Sequence, residues 1–424
     1  MTLRLKSTVN YTLINPEGSH RRYVMLSIDV PTVQTRRQPL NLALVVDRSG
    51  SMGGGKLERA KEAARQLVRN LTPQDRVALV AFASEVDVLA HSTTVTHNGR
   101  TRLLGAIDQI RTAGSTALHG GWWVGGQQVA DFVDDERVSR VLLLTDGRAN
   151  VGLTDPELIA GQARELRQRG IETSAMGIGA DFDDDLLKMM ASSGGGAFHF
   201  IPDAPSIEDV VAGELGEMIS QYARRTVVDV SLPRGVELRG CLNKYELDQT
   251  ATGARVYIGD LLSGDLKRIV LKVSTPPGSI GEHLSITSKV VYTKVETNQH
   301  RDRAFPPAEL RYAPVHAVRS QPVNRDVDRE VSLLRSARAR DEAVALSRDG
   351  RHEDALKILR VTAGKLSESS YASEPEFAAE AAAVRDLVSR AEQGPLDELR
   401  RKDMVATSRT LRERKARHDK GLPK

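Results

Sequence analysis

Leu44-Val45-Val46-Asp47-Arg48-Ser49-Gly50-Ser51-Met52 joins a predominantly apolar run, residues 40–46 with Asn41 its one polar position, to a short polar loop rich in oxygen-bearing side chains. An apolar run with no alternating polar position predicts a strand without a wet face. Residues 77–82, 138–145 and 173–177 have the same character. Strands buried on both faces belong to parallel sheets whose crossover helices cover each side. The intervening segments supply those helices. In 56–71 the apolar positions Leu57, Ala60, Ala64, Leu67, Val68 and Leu71 recur every three or four residues and form one stripe, while Arg59, Glu62 and Arg69 fall on the other face. Asp155-Pro156 before the helical pattern to Arg169, closed by Gly170, combines an N-cap, a proline at N1 and a glycine stop.

Working outward, residues 1–36 and about 225–297 carry short Val-, Ile-, Tyr- and Thr-rich runs broken by Pro and Gly, the pattern of antiparallel strands. The expected architecture is therefore a doubly wound, mostly parallel α/β unit inserted in a β-sandwich and followed by a C-terminal α-helical region. The domain boundaries expected are 1–38 for the first sandwich strands, 39–223 for the α/β unit and 224–297 for the rest of the sandwich. Residues 298–325, with four prolines and no clear period, read as a linker, and 326–424 as helical with a basic tail. Within that helical region the Gly350 turn and Ala355 resemble one tetratricopeptide-type unit. A single unit lacks the neighbours such repeats need, and an ordinary αα-hairpin is the expectation.

The 424 residues suggest two to four folding units, and 40% hydrophobic with 27% charged residues excludes wholesale disorder and fibrous classes. There is no run of 18 uncharged apolar residues, and MTLRLKSTVNYTL has no apolar signal core, so a soluble cytoplasmic protein is expected. Cys241 is the only cysteine; intrachain disulfides and thiolate zinc sites are excluded, and its expected role is that of a small buried or half-buried hydrophobe. The formal charge is +4, and residues 397–424 carry ten Lys/Arg against five Asp/Glu, leaving the remainder close to neutral.

Asp47, Ser49 and Ser51 fall where open α/β sheets place ligands, beyond the carboxyl ends of the strands. A carboxylate and two hydroxyls at alternate positions, with Gly50 and Gly53 to Gly55 giving the backbone freedom to turn, form a hard-oxygen donor set suited to a divalent cation such as Mg²⁺. Two further loops, Gly114-Ser115-Thr116 and Thr145-Asp146-Gly147, should reach the same edge and each offer one oxygen. This three-part pattern resembles the von Willebrand factor type A domain with its metal-ion-dependent adhesion site, over about residues 39–223. The resemblance implies that Asp47, Ser49, Ser51, Thr116 and Asp146 hold a Mg²⁺ ion, or Mn²⁺ or Ca²⁺ in its place. It also implies an antiparallel edge strand near Val86 to Leu89, and one coordination position left open for an Asp or Glu carboxylate of a protein partner.

The surrounding strands resemble those of prokaryotic relatives in the chloride-channel-regulator and inter-alpha-trypsin-inhibitor heavy-chain groups. By the same analogy the chain is expected to be a Mg²⁺-dependent scaffold rather than an enzyme, possible work beside an AAA+ ATPase as co-chaperone included. The alternatives are a metal-assisted hydrolase, for which His119 would be the base, and nucleic-acid or acidic-surface binding through the basic tail. Hydrolysis needs a positioned base or a second metal that the motif does not supply. The tail has no aromatics for base stacking, and a solvated helix or frayed end is expected there. Arg148, Asn150 and Asp155 flank the site without an assigned role. Trp122 and Trp123 are expected to pack in the core, the acidic run 181–185 to cap a helix, and the glycine run 194–196 to form a turn.

Overall fold

A computed structural model of the chain describes residues 2–413 apart from Ser19, residues 34–36, Asp135, Ala251 and Pro395. One compact unit spans residues 36–220, and the segments before and after it form the other. Three strands come first: β1 (Arg4–Val9), β2 (Leu13–Ile14) and β3 (His20–Asp29). The α/β unit then begins with β4 (Leu40–Asp47), α1 (Lys56–Asn70), β5 (Arg76–Phe82), β6 (Val86–Thr94), α2 (His97–Asp108) and α3 (Leu118–Ala130). It continues with β7 (Val138–Thr145), α4 (Pro156–Gln168), β8 (Ile171–Ile178), α5 (Asp184–Ser193), β9 (Gly195–Ile201) and α6 (Ile207–Ile219).

These strands form one sheet in the order β6-β5-β4-β7-β8-β9, parallel throughout except for the antiparallel edge strand β6. Successive side chains of β4 point to opposite faces, and both are covered. Leu40, Leu42, Leu44 and Val46 pack with Leu57, Ala60, Ala64 and Leu67 of α1, whereas Ala43 and Val45 pack with Trp122 and Val129 of α3. Trp122 is fully buried, its indole N–H donating to Thr173 Oγ1 at 3.1 Å. The helix punctuation is as expected. Asp155 accepts from the amides of Glu157 and Leu158 at the start of α4, and Asp183 from that of Leu186 at the start of α5.

The approach of α3 to the sheet depends on its glycines. A Cβ at Gly121 would lie 2.6 Å from the Phe82 ring, which is fully buried and cannot retreat. Gly121→Ala is therefore expected to destabilise the chain by about 1–3 kcal/mol, although alanine is the better helix former. A denaturant midpoint equal to or above that of the parent would contradict this packing.

The second unit continues with β10 (Gln221–Ser231), β11 (Glu237–Cys241), β12 (Glu246–Thr250), β13 (Gly253–Leu262), β14 (Leu266–Thr275), β15 (His283–Lys294), β16 (Gln299–Ala304) and β17 (Ala308–Tyr312). Its helices are α7 (Val315–Ser320), α8 (Arg325–Arg348), α9 (His352–Ser367), α10 (Pro375–Glu392) and α11 (Glu398–Glu413). A four-stranded sheet, β1-β3-β14-β11, and a seven-stranded one, β12-β13-β10-β15-β17-β2 with β16 as a further partner of β15, share one apolar core and make a sandwich. On β3, Val24, Leu26 and Ile28 face that core, while Tyr23 and Met25 on the other face pack with Val327, Val331 and Leu334 of α8.

Two expectations are corrected here. Residues 298–325 are not a linker: β16 and β17 both pair with β15, and β2 adds in parallel to β17. Pro306 and Pro307 separate β16 from β17 and Pro314 and Pro322 flank the short helix α7, rather than marking an unstructured arm, and β16 is polar because it is an exposed edge. Nor is the described part of the basic tail a solvated helix. Lys402, Met404, Val405 and Ser408 of α11 are buried, Ser408 Oγ donates to the Ala337 carbonyl at 2.8 Å, and Arg412 pairs with Asp341 at 2.5 Å. The tail beyond residue 413 lies outside the described residues. In α8 and α9, Gly350 at φ 77° makes the turn of an αα-hairpin. Cys241 is half-buried beside the sandwich core, and burial pushes its thiol up to about 11.

Candidate metal centre

Three loops meet at the carboxyl edge of the parallel sheet. The first leaves β4 at Asp47 and makes a single 3-10 turn, Gly50–Met52, before Gly54 and Gly55 at φ 67° and 97° lead into α1. The second carries Thr116 immediately before α3, and the third carries Asp146 directly after β7. Backbone hydrogen bonds tie the first two together: Gly50 N–H donates to the Gly114 carbonyl at 3.1 Å and Ala113 N–H to that of Arg48 at 2.7 Å. The second is tied to the region after the third. Thr116 N–H donates to Asn150 Oδ1 at 2.8 Å, and Asn150 N–H to the Thr116 carbonyl at 3.2 Å.

The side chains converge within this frame. Ser49 Oγ lies 3.0 Å from Ser51 Oγ, and Ser51 Oγ donates to Asp146 Oδ1 at 2.7 Å. Asp47 is fully buried; its Oδ1 accepts from the Ser49 amide at 2.8 Å and its Oδ2 from the Thr145 hydroxyl at 2.5 Å. Thr116 reaches the same point, since a Cβ placed on Gly147 would fall 3.1 Å from Thr116 Oγ1 and 3.6 Å from Ser51 Oγ. Thus all five sequence-derived positions stand around one locus. Asp47, Ser49, Thr116 and Asp146 are buried, and only Ser51 is exposed, which puts the opening of the site on its side.

Burial pushes the Asp47 carboxyl above its ordinary value; the hydrogen bonds from Thr145 and Ser49 oppose this, and the nearby charge of Asp146 adds to it. Two buried carboxylates whose charges act on each other favour a cation beside them. The donors are all oxygen, the preference of Mg²⁺ or Ca²⁺, and around an ion with oxygens at 2.0–2.1 Å adjacent octahedral ligands stand about 2.9 Å apart. The spacings of 3.0 and 2.7 Å along Ser49, Ser51 and Asp146 match that edge length. The residues therefore fit a hard divalent cation.

Three contributors had no assigned role in the sequence. Thr145 orients Asp47, and Asn150 locks the Thr116 loop. Lys56, the first residue of α1, places Nζ 2.6 Å from Asp146 Oδ2. A hydroxyl beside the Asp146 motif and a lysine at a helix start were the only signals available. His119 Nε2 lies 2.6 Å from Gln162 Oε1, and its ring stacks on Trp123 at 6.3 Å between centroids. Arg148 donates through Nε to the Asp181 carbonyl at 3.2 Å. Among the described residues no three His, Cys, Asp or Glu side chains cluster as a metal-binding group, so the acidic run 181–185 forms no second centre of that kind.

A doubly wound sheet with one antiparallel edge and a cluster of oxygen-bearing side chains in the loops at its carboxyl end defines a class of α/β domain. Residues 41–213 match the family model of the von Willebrand factor type A domain, and the chain carries such a domain. It is 26% identical over 214 residues to YfbK of Escherichia coli, covering 49% of this chain and 37% of that protein. It is 28% identical over 275 residues to human inter-alpha-trypsin inhibitor heavy chain H3, covering 63% of this chain and 30% of the relative. The matches thus span well under half the length of these relatives. A solved von Willebrand factor type A protein from Catenulispora acidiphila has a TM-score of 0.73 at 16% identity, covering 96% of both chains. That likeness extends the shared fold to the sandwich and helices. Domains of this family are generally protein-interaction modules. No described helix is long and apolar enough to cross a membrane.

Proposed function

We propose that the chain is a divalent-cation-dependent protein-binding scaffold, in which Asp47, Ser49, Ser51, Thr116 and Asp146 hold the ion. The observation carrying this reading is the run of oxygens from Ser49 through Ser51 to Asp146, at 3.0 and 2.7 Å, opening to solvent at Ser51. Mg²⁺ suits the donor set, and the bound ion would supply a Lewis-acidic point for an incoming Asp or Glu carboxylate. The protein's own part is positional. Thr145 holds Asp47 facing the cleft, Asn150 fixes the Thr116 loop, and the backbone bonds between residues 48–50 and 113–114 keep the donors in register. A contact made through one buried carboxylate concentrates its energy at a single point, so loss of the ion or of the partner's acid removes most of the affinity.

Nothing favours the hydrolase reading: His119, the base it would use, is engaged by Gln162. A AAA+ ATPase is one partner class that the fold analogy suggests. The test is an affinity capture from lysate on immobilised full chain, in Mg²⁺ and in EDTA, repeated with Asp146→Ala. The expected result is a partner retained in Mg²⁺ and lost under both other conditions. A partner retained equally in all three contradicts the proposal.

A further inference from the structure

Lys56 stands in a place that helix chemistry disfavours. It is the first residue of α1, where the helix dipole repels a cation, and its N-cap, Gly55, is left-handed and provides no side-chain cap. Local rules are most often broken at functional sites. The consequence of this break is specific: Nζ lies 2.6 Å from Asp146 Oδ2 and 3.4 Å from the Ser51 carbonyl, with its side chain 28% exposed against 0% for Asp146. Each oxygen of Asp146 is thereby committed, Oδ1 to Ser51 and Oδ2 to Lys56.

We infer that Lys56 is a tethered cation that competes with the divalent ion for Asp146. This rests on the metal-site reading above and deepens it. Without an ion, two buried carboxylates would face each other with no countercharge; the ammonium neutralises one of them and keeps Asp146 in position. When a divalent cation enters, the same ammonium repels it or must swing outward, which its partly exposed side chain allows. Either way Lys56 lowers the affinity for the ion. It also leaves the loaded site with a surplus of positive charge if it stays, which favours an anionic partner over water. The device sets the ion concentration at which the site becomes competent to bind. An orienting hydrogen-bond partner would act in the opposite direction, because removing such a group weakens metal binding.

The experiment is a direct Mn²⁺ titration of the full chain by calorimetry, comparing the parent with Lys56→Met, Lys56→Gln and Lys56→Arg. Both neutral variants are expected to bind Mn²⁺ about tenfold more tightly, the lower end of the roughly 10–100-fold range by which groups supporting a metal ligand act, here with the opposite sign, and Lys56→Arg to stay close to the parent. Lys56→Gln guards against misfolding of the Met variant, because its amide can still donate to Asp146. In EDTA the Met variant should unfold at lower denaturant than the parent, and saturating Mn²⁺ should close the gap. Equal or weaker Mn²⁺ binding by both neutral variants overturns the competitor role while leaving the metal site standing. Failure of parent and variants alike to bind Mn²⁺ overturns the site and the inference together.

Discussion

Asp47→Asn is expected to lower divalent-cation affinity by more than about a hundredfold, beyond the range for a group that only supports a ligand, while leaving the metal-free fold at least as stable as the parent. The two halves of this result have one cause. The Asp47 carboxylate is buried, and its charge is disfavoured there because the Thr145 and Ser49 hydrogen bonds do not fully compensate burial and the neighbouring Asp146. Neutralising it relieves that cost, yet removes half of the formal countercharge for the ion. The amide keeps the shape and can still accept from the Ser49 N–H.

The same residue sets a pH dependence whose sign follows from linkage. A carboxyl whose folded-state value is raised above its ordinary 3.8 costs stability when charged. That cost is fully present above the raised value and is relieved as the pH falls through it toward 3.8. Cation affinity runs the other way: it is greatest above that window and declines as Asp47 takes up its proton. Calorimetric Mn²⁺ titrations of parent and variant at neutral and mildly acidic pH, paired with urea unfolding in EDTA, measure both halves. A variant that binds Mn²⁺ like the parent would sink the assignment of Asp47.

Glu214→Gln carries the largest expected loss of stability. Glu214 is fully buried on α6, with Arg140 of β7 at 2.7 Å and Ser174 of β8 at 2.5 Å from Oε1, and His199 of β9 at 2.6 Å from Oε2. Arg140 also pairs with Glu172. Burial alone would raise the Glu214 carboxyl, but the hydrogen bond from His199, the charges of Arg140 and His199 and the Ser174 hydroxyl outweigh it and hold the group far below the carboxylate range. Removing the charge takes a buried carboxylate partner from Arg140 and the charged acceptor from His199 and Ser174, at a cost of about 3–5 kcal/mol. Because the folded-state value is depressed, the stabilisation is complete above the ordinary 4.5 and is lost progressively as the pH falls below it. Chemical denaturation at pH 7 should show the full gap between parent and variant, and the gap should narrow toward pH 3. A variant as stable as the parent at pH 7 would show that the network contributes nothing to the fold.

That network was invisible in the sequence. Arg140 interrupts an otherwise apolar strand and Glu214 an otherwise apolar helix face, but which charges meet is decided by crossovers that residue spacing does not encode. The parallel sheet, by contrast, could be read directly, because residues 40–46 are apolar at every position but Asn41 and so show no alternating polar face to turn toward water. The five proposed donors could also be located, since each follows a strand or opens a helix on the same edge. What escaped was their support. Thr145, Asn150 and Lys56 act through distances between loops far apart in the chain, and none has a residue type that announces the role. The strand β16 escaped for a different reason: an exposed edge strand such as Gln299–Ala304 has no apolar face to give it a period of two, whereas β17 does alternate buried and exposed positions but over only five residues, Ala308–Tyr312.

The most direct test is the anomalous difference density of crystals of the full chain saturated with Mn²⁺. The expected result is a single peak bounded by Ser49 Oγ, Ser51 Oγ, Thr116 Oγ1 and the carboxylates of Asp47 and Asp146, with an outward-facing position held by water or by a carboxylate. Well-diffracting crystals with those oxygens ordered, Mn²⁺ bound elsewhere and no peak among them would contradict it.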